Sequence, residues 1–302
     1  RNSLPRALRP YLPYCNKTVT SLSKKRGFAG GFPSVRIEVM NSSPDLFSTI
    51  EKGSTRVLFL DTETTGPDPS TAEVCEVAFI LAEYSGFAET GPSRRFESLV
   101  KPSSPIPPEA SAVNGISNRM VENAQAAAEI REQVESIASQ ADYIAAHNLP
   151  YDYAILKRQY PGVFSRFAPS TRIDTLRLSR HIWQDIPSHS LQALRYRFEL
   201  DLNLQGDAHR AMFDTELVRE LLHHSFRQPQ LSHLDGDWNG LVELIASPLE
   251  VKIFSFGKYR GSLVEDTVAG DPDYIRWLIR QKWLSEEHPD LYHTILRKAG
   301  NS

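Results

Sequence analysis

At 302 residues, with 40% hydrophobic and 24% charged positions, the chain has the size and composition of one large globular domain or two smaller ones. The sequence contains no run of 18 or more apolar residues, which argues against a membrane-spanning helix. Its two cysteines, Cys15 and Cys75, stand 60 positions apart and give neither a disulfide framework nor a metal-binding spacing. The net charge of −3 is distributed unevenly: +6 over residues 1–50, −10 over 51–250 and +1 over 251–302. An acidic middle argues against a general phosphate-binding surface unless bound cations supply the positive charge.

Residues 1–50 carry Arg1, Arg6, Arg9, Lys17, Lys24, Lys25 and Arg26 and no acid before Glu38. They lack periodicity and are expected to be a basic, flexible leader. Two alternatives stand beside that reading: an organellar presequence, since such segments are Arg- and Ser-rich and poor in acids, or sequence upstream of a start at Met40. A cytoplasmic, reducing location is the expectation, and an organellar one if the leader is a presequence.

The first structured stretch is Val57 to Gly66. Four apolar residues, Val57 to Leu60, read as a buried strand, and Thr64-Thr65-Gly66 as its exit turn. Asp61 and Glu63 lie between them. Side chains two apart on an extended chain share a face, so the two carboxylates project together. Like charges so placed oppose each other's ionisation, and a divalent cation relieves this; taken alone, the pair reads first as a solvated strand end, where a lone Asp-x-Glu is commonplace.

Further strands are expected over residues 73–82 and 94–101, then a rigid Pro-rich connector at 102–108. Short helices follow near 109–113 and 118–124, a longer one over 126–140, and an apolar strand over 141–146. A helix from Tyr151 to Tyr160 places Asp152 in its first turn. A short strand near 170–174, helices over 175–183 and 190–198, and a helix running to about His224 complete an interleaved α/β pattern. Asp214 lies at the start of that last helix, five positions after His209. Alone, Asp152 and Asp214 are ordinary acids near helix N-termini. Residues 227–250 are expected as a linker with room for a short helix near 241–246. Residues 251–302 then form a small second unit in which Phe254, Phe256, Tyr274, Trp277 and Trp283 read mostly as core.

In combination these segments resemble the 3′→5′ exonucleases of the proofreading superfamily, in the subgroup whose active site is written D-E-D-D-h. Leu60 to Gly66 matches the first motif; Ala146-His147-Asn148 with Tyr151-Asp152 matches the second, with Tyr where Phe is common; His209-Arg210-Ala211 with Asp214 matches the third. Supporting matches are Ile106 to Ile116, where Asn114 stands in place of a frequent His, and Ile173 to Leu176. Phe254 to Gly261, then Asp271-Pro272, Tyr274 and Arg276-Trp277-Leu278, are similar to the C-terminal module of exodeoxyribonuclease X-like proteins.

The resemblance implies an α/β, ribonuclease H-like exonuclease domain, a mixed sheet flanked by helices, over residues 51–226. It implies a metal-dependent enzyme hydrolysing DNA from its 3′ end to nucleoside 5′-monophosphates. Asp61, Glu63, Asp152 and Asp214 would supply hard oxygen ligands for two Mg²⁺ or Mn²⁺ ions, with Asp61 between them. His209 would be the general base, since an imidazole ordinarily titrates near 6.5. Thr62, Thr64, His147 and Asn148 are candidates for contact with the substrate. The expected partner is single-stranded DNA or a DNA 3′ end, with replication or repair proteins as further partners and no membrane. An exoribonuclease of the same fold and a non-catalytic nucleic-acid-binding or polymerase-associated protein are the alternatives. Lys258, Arg260, Arg276, Arg280 and Lys282, interleaved with the module's aromatics, give it the composition of a single-strand grip or of a docking module.

Overall fold

The computed structural model describes residues 54–202, 204 and 209–300; the expected leader lies outside them. The first strand, β1 (Thr55–Thr64), is central in the sheet. Its residues alternate between two cores: Val57 and Phe59 enter one, Leu58 and Leu60 the other. This two-sided burial explains why the strand reads as an unbroken apolar run. β2 (Val74–Ser85) and β3 (Ala88–Lys101) follow as an antiparallel meander. Then come α1 (Pro108–Asn114), α2 (Asn118–Val121), the two-residue β4 (Gln125–Ala126) and α3 (Arg131–Ala138). The helix expected over 126–140 is thus shorter at both ends, because Gln125 and Ala126 pair with β3 instead of joining a helix.

β5 (Tyr143–Ala146), α4 (Leu149–Gln159), α5 (Pro161–Phe164), β6 (Arg172–Asp174), α6 (Thr175–Ile182), α7 (Leu191–Phe198) and α8 (Ala211–Phe226) complete the α/β part. The sheet order is β4-β3-β2-β1-β5-β6, with β5 parallel to β1 and β6 parallel to β5. Helices α3, α4 and α5 cover one face; α6 and α8 cover the other. This is a mixed sheet flanked by helices, the ribonuclease H-like arrangement. Among the described residues no helix is long and apolar enough to cross a membrane.

Residues 227–250, expected as a linker, carry a 3₁₀ turn (Pro229–Leu234) and α9 (Trp238–Ala246). Leu231, Trp238, Leu241, Val242 and Ile245 are buried in the same core as α8. The spacing i, i+3, i+4, i+7 from Trp238 is that of a one-sided apolar helix, so this segment finishes the core instead of leaving it.

A separate core, built around Phe254, Val264, Ile275, Leu278, Leu284 and Ile295, holds α10 (Val264–Gly270), α11 (Pro272–Ile279), α12 (Lys282–Glu287) and α13 (Pro289–Gly300). Gly257 and Gly261, at φ 73° and 88°, turn the chain in the left-handed region where glycine carries no Cβ penalty. Their turn returns Gly261 N–H to the Phe254 carbonyl at 2.8 Å. Trp277 departs from the expected core: it is 52% exposed, because Ile275 and Leu278 define the buried face of α11 and Trp277 lies off it. The module is joined to the larger core by Arg177, whose two terminal nitrogens clasp Asp290 at 2.9 and 2.8 Å. The same guanidinium donates to the carbonyls of Ile245 and Ser247.

Candidate active site

The site is assembled at the C-terminal end of β1. Asp61 and Glu63 continue the parity of Val57 and Phe59 and so project on the α8 side of the sheet, while Thr62 projects on the α4 side with Leu58 and Leu60. Each helical layer brings one further acid. Asp152, in the first turn of α4, is buried, and its Oδ1 accepts from Thr62 N at 3.1 Å and Thr62 Oγ1 at 2.6 Å. Asp214, in the first turn of α8, accepts from His209 N at 3.2 Å and from Gln192 Nε2 at 2.8 Å. Helix N-termini favour carboxylates by their dipoles and unpaired N–H groups, so both acids occupy positions where negative charge is tolerated.

Asp61, Glu63, Asp152, His209 and Asp214 line a single open cleft of about 500 Å³. Ligating atoms of Glu63, His209 and Asp214 lie within 4.8 Å of one another. The electrostatics of so many acids are unfavourable. Burial, then repulsion from Asp152, Asp214, Glu63 and Glu76, holds the Asp61 carboxyl well above the usual range. Burial first and then Asp214, Glu76 and Asp152 push Glu63 up to about 8, with Arg210 acting in the opposite sense. Burial raises Asp152 to about 7 even though Thr62 hydrogen bonds pull it down. Asp214 is raised for the same reason, against the opposing His209 N–H and Gln192. A cluster of hard oxygen donors that resists ionisation by itself fits a divalent cation such as Mg²⁺ or Mn²⁺, whose charge offsets the repulsion.

The four residues expected to meet substrate are placed differently from one another. Thr62 is buried against Asp152. Thr64 is bonded to the Tyr151 hydroxyl at 2.6 Å and to the Gly66 carbonyl at 3.0 Å. His147 is engaged through Nδ1 with Thr175 Oγ1 and through Nε2 with the His189 carbonyl, and burial lowers its pKa to about 4. Asn148 is exposed at the rim, with φ 70° and its N–H on Asp174 Oδ1. Thr62, His147 and Asn148 line the acidic cleft. Thr64 lines an adjoining cleft of about 610 Å³ with Pro107, Ala110, Val113 and Tyr151. Asn114 ties two walls of that second cleft together: its Nδ2 donates to the Thr64 carbonyl at 3.1 Å.

Two residues of the site have no role assigned by the sequence. Gln192, which buttresses Asp214, comes from α7 and carries no local signal. Glu76, fully buried on β2, is visible in the sequence as an acid inside an apolar strand, but its partners, Arg210 and the N–H of Ala211 at the start of α8, are far from it in the chain.

A sequence profile of the family described as Exonuclease matches residues 58–222, and one described as Exodeoxyribonuclease X-like C-terminal matches residues 254–282. The chain is 26% identical over 252 residues to exodeoxyribonuclease 10 of Escherichia coli, covering 80% of this chain and 98% of that protein. It is 34% identical over 162 residues to a DNA polymerase III subunit epsilon-like protein of Rhodobacter capsulatus, covering 53% of this chain and 22% of that one. Among solved structures, exonuclease X in complex with 5′ overhanging duplex DNA is similar at 23% identity and a TM-score of 0.45, over 62% of this chain and 99% of that one.

Proposed function

We propose that this chain, which belongs to the Exonuclease family, is a metal-dependent 3′→5′ exonuclease that hydrolyses DNA from the 3′ end and releases nucleoside 5′-monophosphates. The observation that carries the reading is the convergence of Asp61, Glu63, Asp152, Asp214 and His209 on one cleft. The preference for DNA rests on the relation to exodeoxyribonuclease 10 across nearly the whole length of that protein and on the matched C-terminal module.

In this reading Asp61, Glu63, Asp152 and Asp214 would hold two divalent cations. When bound, the cations supply positive charge to the scissile phosphate and lower the pKa of a coordinated water. The chain's own residues do the rest. Thr62 fixes Asp152 by its Oδ1, and Gln192 with the His209 N–H fixes Asp214. His209, exposed on the cleft, takes a proton on an imidazole nitrogen from the water that attacks the phosphorus; the P–O3′ bond breaks, the departing 3′-oxygen takes a proton from solvent, and His209 returns its own to solvent. The adjoining cleft, walled by Pro107, Ala110, Val113 and Tyr151, offers apolar surface to the terminal base, and Asn148 offers an amide at the rim of the first.

The test is incubation of the full chain with 3′-labelled and 5′-labelled DNA and RNA oligonucleotides, in Mg²⁺ or in EDTA. Early release of a labelled 3′ mononucleotide from DNA, abolished by EDTA, is expected. Faster release from RNA would transfer the assignment to an exoribonuclease. Binding with no Mg²⁺-dependent release would remove the catalytic reading.

A further inference from the structure

Glu76 stands opposite Glu63 in the β1–β2 register, so its side chain shares the face of Asp61 and Glu63 and is a fifth acid beside the cleft. It is 1% exposed. A carboxylate this deeply buried persists only with charged or hydrogen-bonding partners, and all three donors it engages come from one short segment. Arg210 Nη2 reaches its Oε1 at 2.5 Å and Arg210 Nε lies 3.2 Å from both oxygens. The N–H of Ala211 donates to Oε2 at 3.0 Å. Ala211 is the first residue of α8, where backbone N–H groups lack an intrahelical acceptor. Glu76 therefore caps α8 from the neighbouring strand.

We infer that Glu76 is a positioning residue for His209, an inference that rests on the function proposed above. His209 directly precedes the clamped pair, at φ 62°, in the left-handed region that a non-glycine residue keeps only where its surroundings over-determine it. Its side chain is exposed, so core packing does not place the imidazole. Its backbone does: the His209 N–H is held by Asp214, and the next two residues are held by Glu76. The result sets the imidazole within 4.8 Å of the carboxylates of Glu63 and Asp214. Arg210 is drawn into the same arrangement, between Glu76 and Glu97, whose Oε1 lies 3.9 Å from Nη2. A simple buried ion pair would need none of this coincidence. Glu76 bonds to the side chain of one residue and to the backbone of the next, immediately after the proposed base.

The test is a double-mutant cycle on the full chain, read as the rate of 3′-mononucleotide release at saturating Mg²⁺ and DNA. Glu76→Gln keeps the shape and loses the charge. It is expected to lower kcat by about ten- to a hundredfold, the effect of a small misplacement of a reacting group, with KM for the 3′ end changed by no more than about twofold. In the His209→Ala background the same substitution is expected to cost nothing further, since the group it positions is gone. Additive losses, or a Glu76→Gln enzyme at the wild-type rate, would overturn the inference. If Glu76→Gln does not fold, Arg210→Gln, at a side chain 41% exposed, runs the same cycle with the same outcomes. An active wild type with an additive cycle overturns this inference alone, whereas a wild type that releases no nucleotide overturns the functional reading and this inference with it.

Discussion

The stability of the cation-free protein should fall as pH rises through neutrality, and a divalent cation should abolish that fall. Glu63 titrates at about 8 in the fold against an ordinary value of 4.5. A raised folded pKa means that the folded state holds its proton where the unfolded chain has lost it. The resulting stabilisation is complete below about pH 4.5 and is lost as pH climbs through about 8. Between pH 5.5 and 8 this group alone accounts for about 3 kcal/mol at 1.36 kcal/mol per pH unit. Halving that for the openness of the cleft leaves roughly 1.5 kcal/mol, or about 3–6 °C in Tm for a chain of this size. Asp152, raised to about 7, acts in the same direction. A bound cation replaces the proton, so its stabilising effect grows with pH as the competition weakens. Thermal melts in EDTA and in saturating Mg²⁺ at pH 5.5 and pH 8 measure this directly. The Mg²⁺-induced shift should be larger at pH 8 by several degrees, and the difference should shrink in Glu63→Gln. Equal shifts at the two pH values in the wild type would refute the electrostatic account of the site.

His209→Ala should lose about 10²–10⁴-fold in turnover, the usual contribution of a general base, while its Mg²⁺-induced melting shift stays at the wild-type size; near-wild-type turnover would remove the assignment. Thr62→Val deletes the 2.6 Å bond to Asp152, a charge-assisted contact worth about 1.5–3 kcal/mol. Mg²⁺ titrations followed by activity should show roughly tenfold weaker apparent affinity for the cation, and an unchanged titration would show that Asp152 is held otherwise. In the C-terminal module, exposed Trp277 stands 5.7 Å from Tyr274, with Lys258 above Tyr259 and Tyr274. If this surface stacks on single strands, Trp277→Ala should weaken single-stranded DNA binding by roughly tenfold, as read by fluorescence anisotropy; unchanged affinity would leave the module a packing or docking element.

The acid pair on β1 was legible because strand parity is a strict rule: once Val57 to Leu60 is a strand, Asp61 and Glu63 must share a face. Asp152 and Asp214 were legible as first-turn acids of helices that follow apolar segments. What joined them to Asp61 was the order β2-β1-β5, which no local pattern states, and the resemblance of three motifs supplied it. Glu76 resisted for the same reason: its role depends on standing opposite Glu63, a long-range register. Thr62 lines the cleft as a candidate substrate contact, and its hydrogen bond to Asp152 is a long-range contact that no local pattern states. Residues 227–250 looked like a linker because Pro229, Asp235, Gly236 and Asp237 interrupt the pattern. Those residues punctuate two short helical elements, and Leu231 and Trp238 anchor the elements to the core.

The position of the site explains how the fold tolerates it. β1 is the sheet's central strand, buried on both faces through Leu60, and each covering layer delivers one acid at the start of a helix. Helix dipoles are worth about 0.3–1 kcal/mol each at such positions, and Thr62, Gln192 and the His209 N–H add hydrogen bonds. These contributions moderate the repulsion without removing it, since Glu63 and Asp152 still rest at about 8 and 7. The same logic runs outward to the substrate. A stretch carrying −10 over residues 51–250 repels a polyanion, and the protons that quiet Glu63 and Asp152 at neutral pH bring no positive charge to the cleft. A cation does both: it relieves the acids and reverses the sign of the field that a phosphate meets. In the proposed function the carboxylate cluster would therefore be more than a set of ligands, because it would make attraction of nucleic acid to this cleft conditional on a bound cation.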